Sequence, residues 1–395
     1  MRYDFDRIIE RKNTQCKKFD ELQQIFGTSE ALPLWVADMD FPTAEPIIDA
    51  LKKKAAHGIF GYAQTPASYF QSYADWQKRR NGWKIDPAMM SFSQGVVYSV
   101  RTLMMMYTSP DRKILVQTPS YPPFLNLPSE IGRQIVINEL YRDEQGIYRM
   151  DLEDFEKKAA QGDIGVFALV NPHNPTGRTW SKEELLAVAD LCLKYRIRII
   201  ADEIHSDIIL KEGRHIPMAS LSEEIAAITT TCLSPTKTFN LAGVQTSIIH
   251  FSSEADKALY DEITAKTHVS MSNSFAVCAT ETAFAEGEDW LEQMKDYVYD
   301  NILFVHDFLS QNLPQIKSYI PQGTYLMWLD MRALCMEPKE LMRFMLHEAR
   351  LALNGGDAFG KNGEGFMRLN CATTRGVLKQ AMKQLKQAID AISAK

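Results

Sequence analysis

One stretch of the 395-residue chain combines an amine with a turn: Ser234-Pro-Thr-Lys237-Thr-Phe-Asn-Leu-Ala-Gly243. It follows directly on the apolar run Ala227–Cys232, so Ser234 and Lys237 stand at the carboxyl end of a predicted strand. Ligands bind at such ends in open α/β sheets. A lysine near an interior loses hydration, its pKa falls, and the free amine becomes a nucleophile able to form a Schiff base. Asp202 closes a second strand, Arg198–Ala201, and opens Asp202-Glu-Ile-His205; a carboxylate there can pair with a cationic ring nitrogen. Asn174 sits in Asn171-Pro-His-Asn-Pro-Thr-Gly177 after a third strand, Gly165–Val170, where prolines and glycine fix a turn and amides can face a ligand oxygen. Gln94-Gly95-Val96-Val97 feeds the helical stretch Tyr98–Tyr107, a helix start whose backbone amides favour an anion such as phosphate. Tyr121, in Thr118-Pro-Ser-Tyr-Pro-Pro-Phe124, follows the strand Lys113–Gln117 and can stack on an aromatic ligand. Taken singly, each has a plainer reading: a surface lysine, a cap carboxylate, a bare turn.

The elements that must position these residues alternate. Short β-branched runs are separated by helical patterns, the clearest beginning at Ser181 with Glu184 three residues on, a capping box. Leu185, Val188, Ala189 and Cys192 then recur at the helical period. This order predicts an α/β fold with a mostly parallel sheet between helices. The buried-type strands lie within about residues 46–285. Residues 286–395 read as helix, strand, helix, strand, helix (Trp290–Asn312, Thr324–Met331, Pro338–Glu348, Phe366–Cys371, Arg375–Ile392), a smaller α+β domain. Residues 1–45 show no sheet-forming run and are expected to wrap onto that smaller domain.

Composition narrows the function class. The chain is 45% hydrophobic and 24% charged, enough apolar material for a large core. Its 44 basic residues are scattered among 50 acidic ones, net −6, so no basic stripe marks a nucleic-acid partner. The charged start, Met1-Arg-Tyr-Asp-Phe-Asp-Arg7, lacks the apolar core of a secretory signal, and no run has the length of a spanning helix. The six cysteines form no C-x-x-C pair, which suits reduced thiols and a cytoplasmic location. Gly355-Gly-Asp-Ala-Phe-Gly-Lys361 mimics a nucleotide loop, but Asn362 replaces the Ser or Thr that would hold magnesium; a mobile loop beside the site is expected instead. Asp202, His205 and Asp207 do not have metal-ligand spacing, and no metal is expected.

Four strand ends and one helix start thus offer an amine, a carboxylate, an amide, an aromatic ring and a phosphate cradle, the complement of pyridoxal 5'-phosphate. Over nearly its whole length the chain resembles fold-type I pyridoxal-phosphate enzymes of the class I/II aminotransferase superfamily. Leu34-Trp-Val-Ala-Asp-Met-Asp-Phe-Pro42, Gly61-Tyr62, Asp202-Glu-Ile-His-Ser-Asp207 and Ser234–Gly243 are similar to its cystathionine β-lyase (carbon–sulfur lyase) subgroup. The resemblance implies an aspartate aminotransferase-like fold: a large domain over 46–285 with a seven-stranded sheet, and a small domain from 1–45 and 286–395. It implies that Lys237 holds the cofactor covalently and then moves the proton at the substrate Cα. Asp202 would keep the pyridine nitrogen protonated, Asn174 would bond the phenolic oxygen, and Tyr121 would stack on the ring. Gly95, Val96, Val97 and Ser234 would bind phosphate, with Tyr62 reaching in from the second subunit of a homodimer. Arg368, in Phe366-Met-Arg-Leu-Asn370, would clamp the substrate carboxylate, with Trp35, Asn174 and Tyr62 beside it. The position eight residues after Lys237, usually arginine across the superfamily, is Gln245. The one three after Asp202, often tyrosine, is His205, here a cofactor contact. Pro122 stands where some relatives carry a second tyrosine. The implied activity is β-elimination of a thiol from cystathionine or a cysteine S-conjugate. An aminotransferase, and a regulatory protein that keeps the fold, are its rivals.

Overall fold

A computed structural model describes residues 2–393; residues 1, 394 and 395 of the expected smaller domain lie outside the described residues. At its centre is a seven-stranded sheet. Its strands are β1 (Met90–Ser93), β2 (Lys113–Thr118), β3 (Ile135–Glu139), β4 (Ile164–Val170), β5 (Arg198–Asp202), β6 (Thr229–Leu233) and β7 (Ser247–His250). They lie in the order β1-β7-β6-β5-β4-β2-β3. β7 is antiparallel to both neighbours and the other pairings are parallel, so six strands run one way and share one carboxyl edge. Every residue of β4, Ile-Gly-Val-Phe-Ala-Leu-Val, is buried, as a strand covered on both faces requires. The register aligns the ends that matter: Val170 pairs with Asp202, and Asp202 with Cys232.

Helices cover both faces. Lys182–Tyr195 carries the predicted capping box, with Glu184 N donating to Ser181 Oγ (3.2 Å) and Ser181 N to Glu184 Oε2 (2.9 Å). Its buried face is Leu185, Val188, Ala189 and Cys192, the face read from the period. A second, antiparallel sheet is built from β8 (Lys317–Ser318), β9 (Leu326–Asp330), β10 (Asn354–Gly355) and β11 (Phe366–Asn370), in the order β8-β9-β11-β10. Helices Glu288–Asn312 and Arg375–Ser393 accompany it. One continuous apolar core runs from Phe41 and Ile47 through Trp76, Phe239 and Trp290 to Leu326 and Leu385.

The structure departs from the sequence reading in five places. Thr229 begins β6; the preceding Glu223–Ile228 is a helix, because Ser222 Oγ accepts from Ile225 N and two acidic residues occupy its first turn. Val96 rather than Tyr98 opens the helix that ends at Tyr107. The first 45 residues do contribute a strand pair: Leu32–Pro33 runs parallel to Leu351–Ala352, too short to show as alternation. The helix expected over Pro338–Glu348 is α-helical only to Arg343 and then widens into a π-turn, Ala349 N bonding Phe344 O at 3.0 Å. The Gly355–Gly365 stretch is packed rather than free. Phe359 is fully buried, its carbonyl accepts from Ser120 N (2.7 Å), and Asn362 Nδ2 donates to Thr118 O (2.8 Å).

Candidate active site

The carboxyl edge of the large sheet opens into a cavity of about 440 Å³. Lys237 enters it from the turn after β6, Asp202 as the last residue of β5, Asn174 from the loop after β4, and Tyr121 from the loop after β2. Gly95, Val96 and Val97 enter from the start of helix Val96–Tyr107, and Arg368 from the middle of β11 in the second sheet. A side chain at Gly95 would meet nothing within 4 Å, so the first amides of this 12-residue helix stand open to the cavity.

Burial sets the charges. Lys237 Nζ donates to Ala37 O at 2.6 Å, and its pKa is pulled down to about 8 by burial and by repulsion from Arg368, against attraction from Asp38 and Asp202. Burial drives the Asp202 carboxyl up to about 7, against a bond from Ile204 N (3.0 Å) and the attraction of Lys237, and with the repulsion of Glu203. His205, buried beside Lys237 and Arg368, falls to about 3 and is neutral at pH 7. Arg368 is only 5% exposed. Its guanidinium bonds Asn174 Oδ1 (3.0 Å), Trp35 O (2.9 Å) and Asn354 Oδ1 (2.7 Å) and lies 5.0 Å above the Phe359 ring. Burial lowers its pKa to about 10. Among the described residues it has no carboxylate partner, so it is a desolvated cation awaiting an anion.

The segment Leu34–Pro42 straps one wall in place. Asn370 Nδ2 donates to Val36 O (2.7 Å) and Asp38 O (2.6 Å), while Asn240 accepts from Met39 N and donates to Met39 O and Phe41 O. Buried Lys18 pairs with Asp40 (2.8 Å), and Arg11 spans Asp38 and Asp40. The strap therefore presents Ala37 O to both Lys237 and the Tyr325 hydroxyl (2.8 Å). Asp207 accepts from Trp76 Nε1 (2.8 Å) and Thr238 Oγ1 (2.9 Å), tying the loop after β5 to the turn that carries Lys237.

The chain matches the aminotransferase class I and II family over residues 29–385. It belongs to that family. Cystathionine β-lyase PatB of Bacillus subtilis (strain 168) is 39% identical over 385 residues, covering 98% of this chain and 99% of that protein. Cystalysin from Treponema denticola, whose crystal structure contains pyridoxal 5'-phosphate, superposes with a TM-score of 0.95 at 31% identity, over 99% of this chain and 100% of that one. The PLP-bound C–S lyase of Staphylococcus hominis gives 0.91 at 32% identity, with 98% of each chain covered.

Within this class I and II aminotransferase-family fold, ten of the residues singled out from sequence line the one cavity: Trp35, Gly95, Val96, Val97, Tyr121, Asn174, Asp202, His205, Lys237 and Arg368. Two lie elsewhere. Ser234 is buried below the lining, its hydroxyl donating to Thr246 O (2.6 Å) and capping Thr236 N (3.1 Å). Thr236 and Thr246 line the cavity in its stead. Tyr62 is 96% exposed and is not part of the cavity within one chain. Gln245, at the position where the resemblance leads one to expect an arginine, does line the cavity. The sequence reading missed Lys17, Ala37, Thr236, Thr246 and Asn354; of these only Thr236, inside the Ser234–Lys237 turn, and Ala37, inside Leu34–Pro42, had a local signal.

Proposed function

We propose that the chain is a pyridoxal-phosphate-dependent carbon–sulfur β-lyase that cleaves cystathionine or cysteine S-conjugates to a thiol (homocysteine from cystathionine), pyruvate and ammonia. The observation that carries this reading is the convergence of Lys237, Asp202, Asn174 and Arg368 in one buried cavity, together with full-length similarity to carbon–sulfur lyases. The residues fit the cofactor. Asp202 is a buried carboxylate raised to about 7 by that burial despite the attraction of Lys237, Lys237 is a half-buried amine lowered to about 8, and open helix amides at Gly95–Val97 suit a phosphate. Asp202 would pair with the ring nitrogen, Asn174 with the phenolic oxygen, and Tyr121 would stack on the ring. When bound, pyridoxal phosphate supplies the electron sink that makes the substrate Cα–H acidic and lets the Cβ thiolate leave. Arg368 binds the substrate α-carboxylate and thereby fixes which Cα bond faces Lys237. Lys237, with its pKa near 8, is largely able to hold or release a proton near neutrality, so it takes the Cα proton.

The test is cystathionine alone. Pyruvate and a free thiol should form without any added oxo acid. If a 2-oxo acid appeared only when an acceptor oxo acid was supplied, the chain would be an aminotransferase.

We further infer a cytoplasmic homodimer with a cofactor domain over residues 46–285 and a small domain from both chain ends. No helix among the described residues is long and apolar enough to cross a membrane. Ile59, Phe60 and Tyr62 are 68%, 63% and 96% exposed, with Phe60 stacked on Phe275, an apolar face that a second copy would cover while bringing Tyr62 to its neighbour's phosphate end. Light scattering should give twice the mass of one chain. Phe60→Asp should shift it towards one chain and weaken cofactor retention; an unchanged mass would place the contact elsewhere.

A further inference from the structure

Six titratable side chains line the cavity: Lys17, Tyr121, Asp202, His205, Lys237 and Arg368. Five are absorbed by the proposed chemistry or are neutral. Lys17 is not. It projects from the short helical turn Lys17–Asp20, whose next residue, Lys18, is fully buried and paired with Asp40 at 2.8 Å. Trp35 Nε1 also donates to Lys18 O (3.0 Å), and Trp35 itself lines the cavity. The turn is thus bolted to the cavity wall, yet the Lys17 side chain is 64% exposed. A residue that both lines the cavity and faces solvent stands at its mouth. Its charge partner among the described residues is Glu21, exposed and 3.5 Å away, a contact a ligand carboxylate can readily replace.

The cavity therefore has a buried cation at its inner end, Arg368, and a solvent-facing cation at its mouth. An amino-acid thioether whose α-carboxylate is held inside must direct its leaving arm outward. We propose that Lys17 is a specificity-determining residue that selects thioethers whose leaving arm ends in a carboxylate, as the homocysteine half of cystathionine does. This rests on the lyase reading and narrows its substrate class. No covalent step is added: Lys17 contributes an ion pair at the distal end only.

The holoenzyme tests this with three substrates: S-(3-carboxypropyl)-L-cysteine (the cystathionine arm without its ammonium, ending in a carboxylate alone), S-ethyl-L-cysteine (uncharged arm) and S-(2-aminoethyl)-L-cysteine (cationic arm), pyruvate being measured for each. In Lys17→Gln, the ratio of kcat/KM for the carboxypropyl substrate to that for S-ethylcysteine should fall about fivefold, through KM rather than kcat. Added salt should lower the same ratio in the unmodified enzyme but not in the variant. Lys17→Glu should lower the ratio further and raise the relative preference for the aminoethyl arm. A merely structural role would depress all three substrates together and leave the ratios alone. Ratios within twofold of the unmodified enzyme in both variants overturn the assignment while leaving the lyase reading intact. No pyruvate from any of the three with the unmodified enzyme overturns the lyase reading, and this assignment with it.

Discussion

Lys237→Ala abolishes the imine absorbance of the purified protein, leaves no adduct for borohydride to trap, and lowers pyruvate release by at least about a thousandfold. The loss is chemical rather than structural. The amine's hydrogen bond in the structure is to Ala37 O, and that carbonyl keeps its bond from the Tyr325 hydroxyl when the lysine is removed. The neighbouring Ser234 cap and the Thr238–Asp207 bond involve other atoms of the same turn and persist. Nor does the fold depend on a buried charge that disfavours itself: burial and Arg368 already pull the amine down to about 8. Far-UV circular dichroism and the unfolding midpoint of the cofactor-free variant should therefore match or exceed those of the unmodified protein. A borohydride adduct that survives the substitution would put the reactive amine elsewhere, Lys17 at the cavity mouth being the first place to look.

The strand-end residues were legible because each lies within a few positions of the strand that aims it. Asp202 is the last residue of β5, and Lys237 follows β6 by one short turn, so local pattern carried both to the same sheet edge. Arg368 depended on the resemblance, since β11 belongs to another sheet and nothing near it in sequence names the cavity. What escaped was assembled across long separations. The strap is clamped by Asn240 and Asn370, some 200 and 330 residues away, and each asparagine reads locally as an ordinary polar residue. Ser234 stands outside the lining for the opposite reason: its hydroxyl caps Thr236 N in its own turn and donates to the distant Thr246 O, partners that spacing cannot reveal. The glycines of 355–365 suggested mobility, whereas at Gly356 they permit close packing; a side chain there would collide with Gly363 O at 2.0 Å. Glycine marks close approach as readily as freedom.

Asp202→Asn should separate function from stability in opposite directions. The amide has the carboxylate's shape and still accepts from Ile204 N, so the loop after β5 keeps its geometry. It cannot supply the charge that holds a proton on the ring nitrogen. Removing one partner of a buried charge pair costs about 2–5 kcal/mol, so pyruvate release should fall about a hundred- to a thousandfold, with weaker cofactor retention. The cofactor-free protein should respond the other way. Its Asp202 pKa is raised from 3.8 to about 7, chiefly by burial, so between those values the folded chain holds a proton that the unfolded chain has released. Stability contributed by this group is then greatest below pH 4 and declines as pH rises through 7, by up to about 4 kcal/mol at pH 8. Asn carries no such penalty. The cofactor-free variant should melt several degrees above cofactor-free unmodified protein at pH 8 and close to it at pH 4, while cofactor addition should narrow or reverse the difference at pH 8. A variant that melts lower at pH 8 without cofactor, with an unchanged pH slope, would show that Asp202 is satisfied by the protein alone. The carboxylate would then be a brace for its loop, and the electrostatic demand that makes this cavity complementary to a cationic ring would be gone.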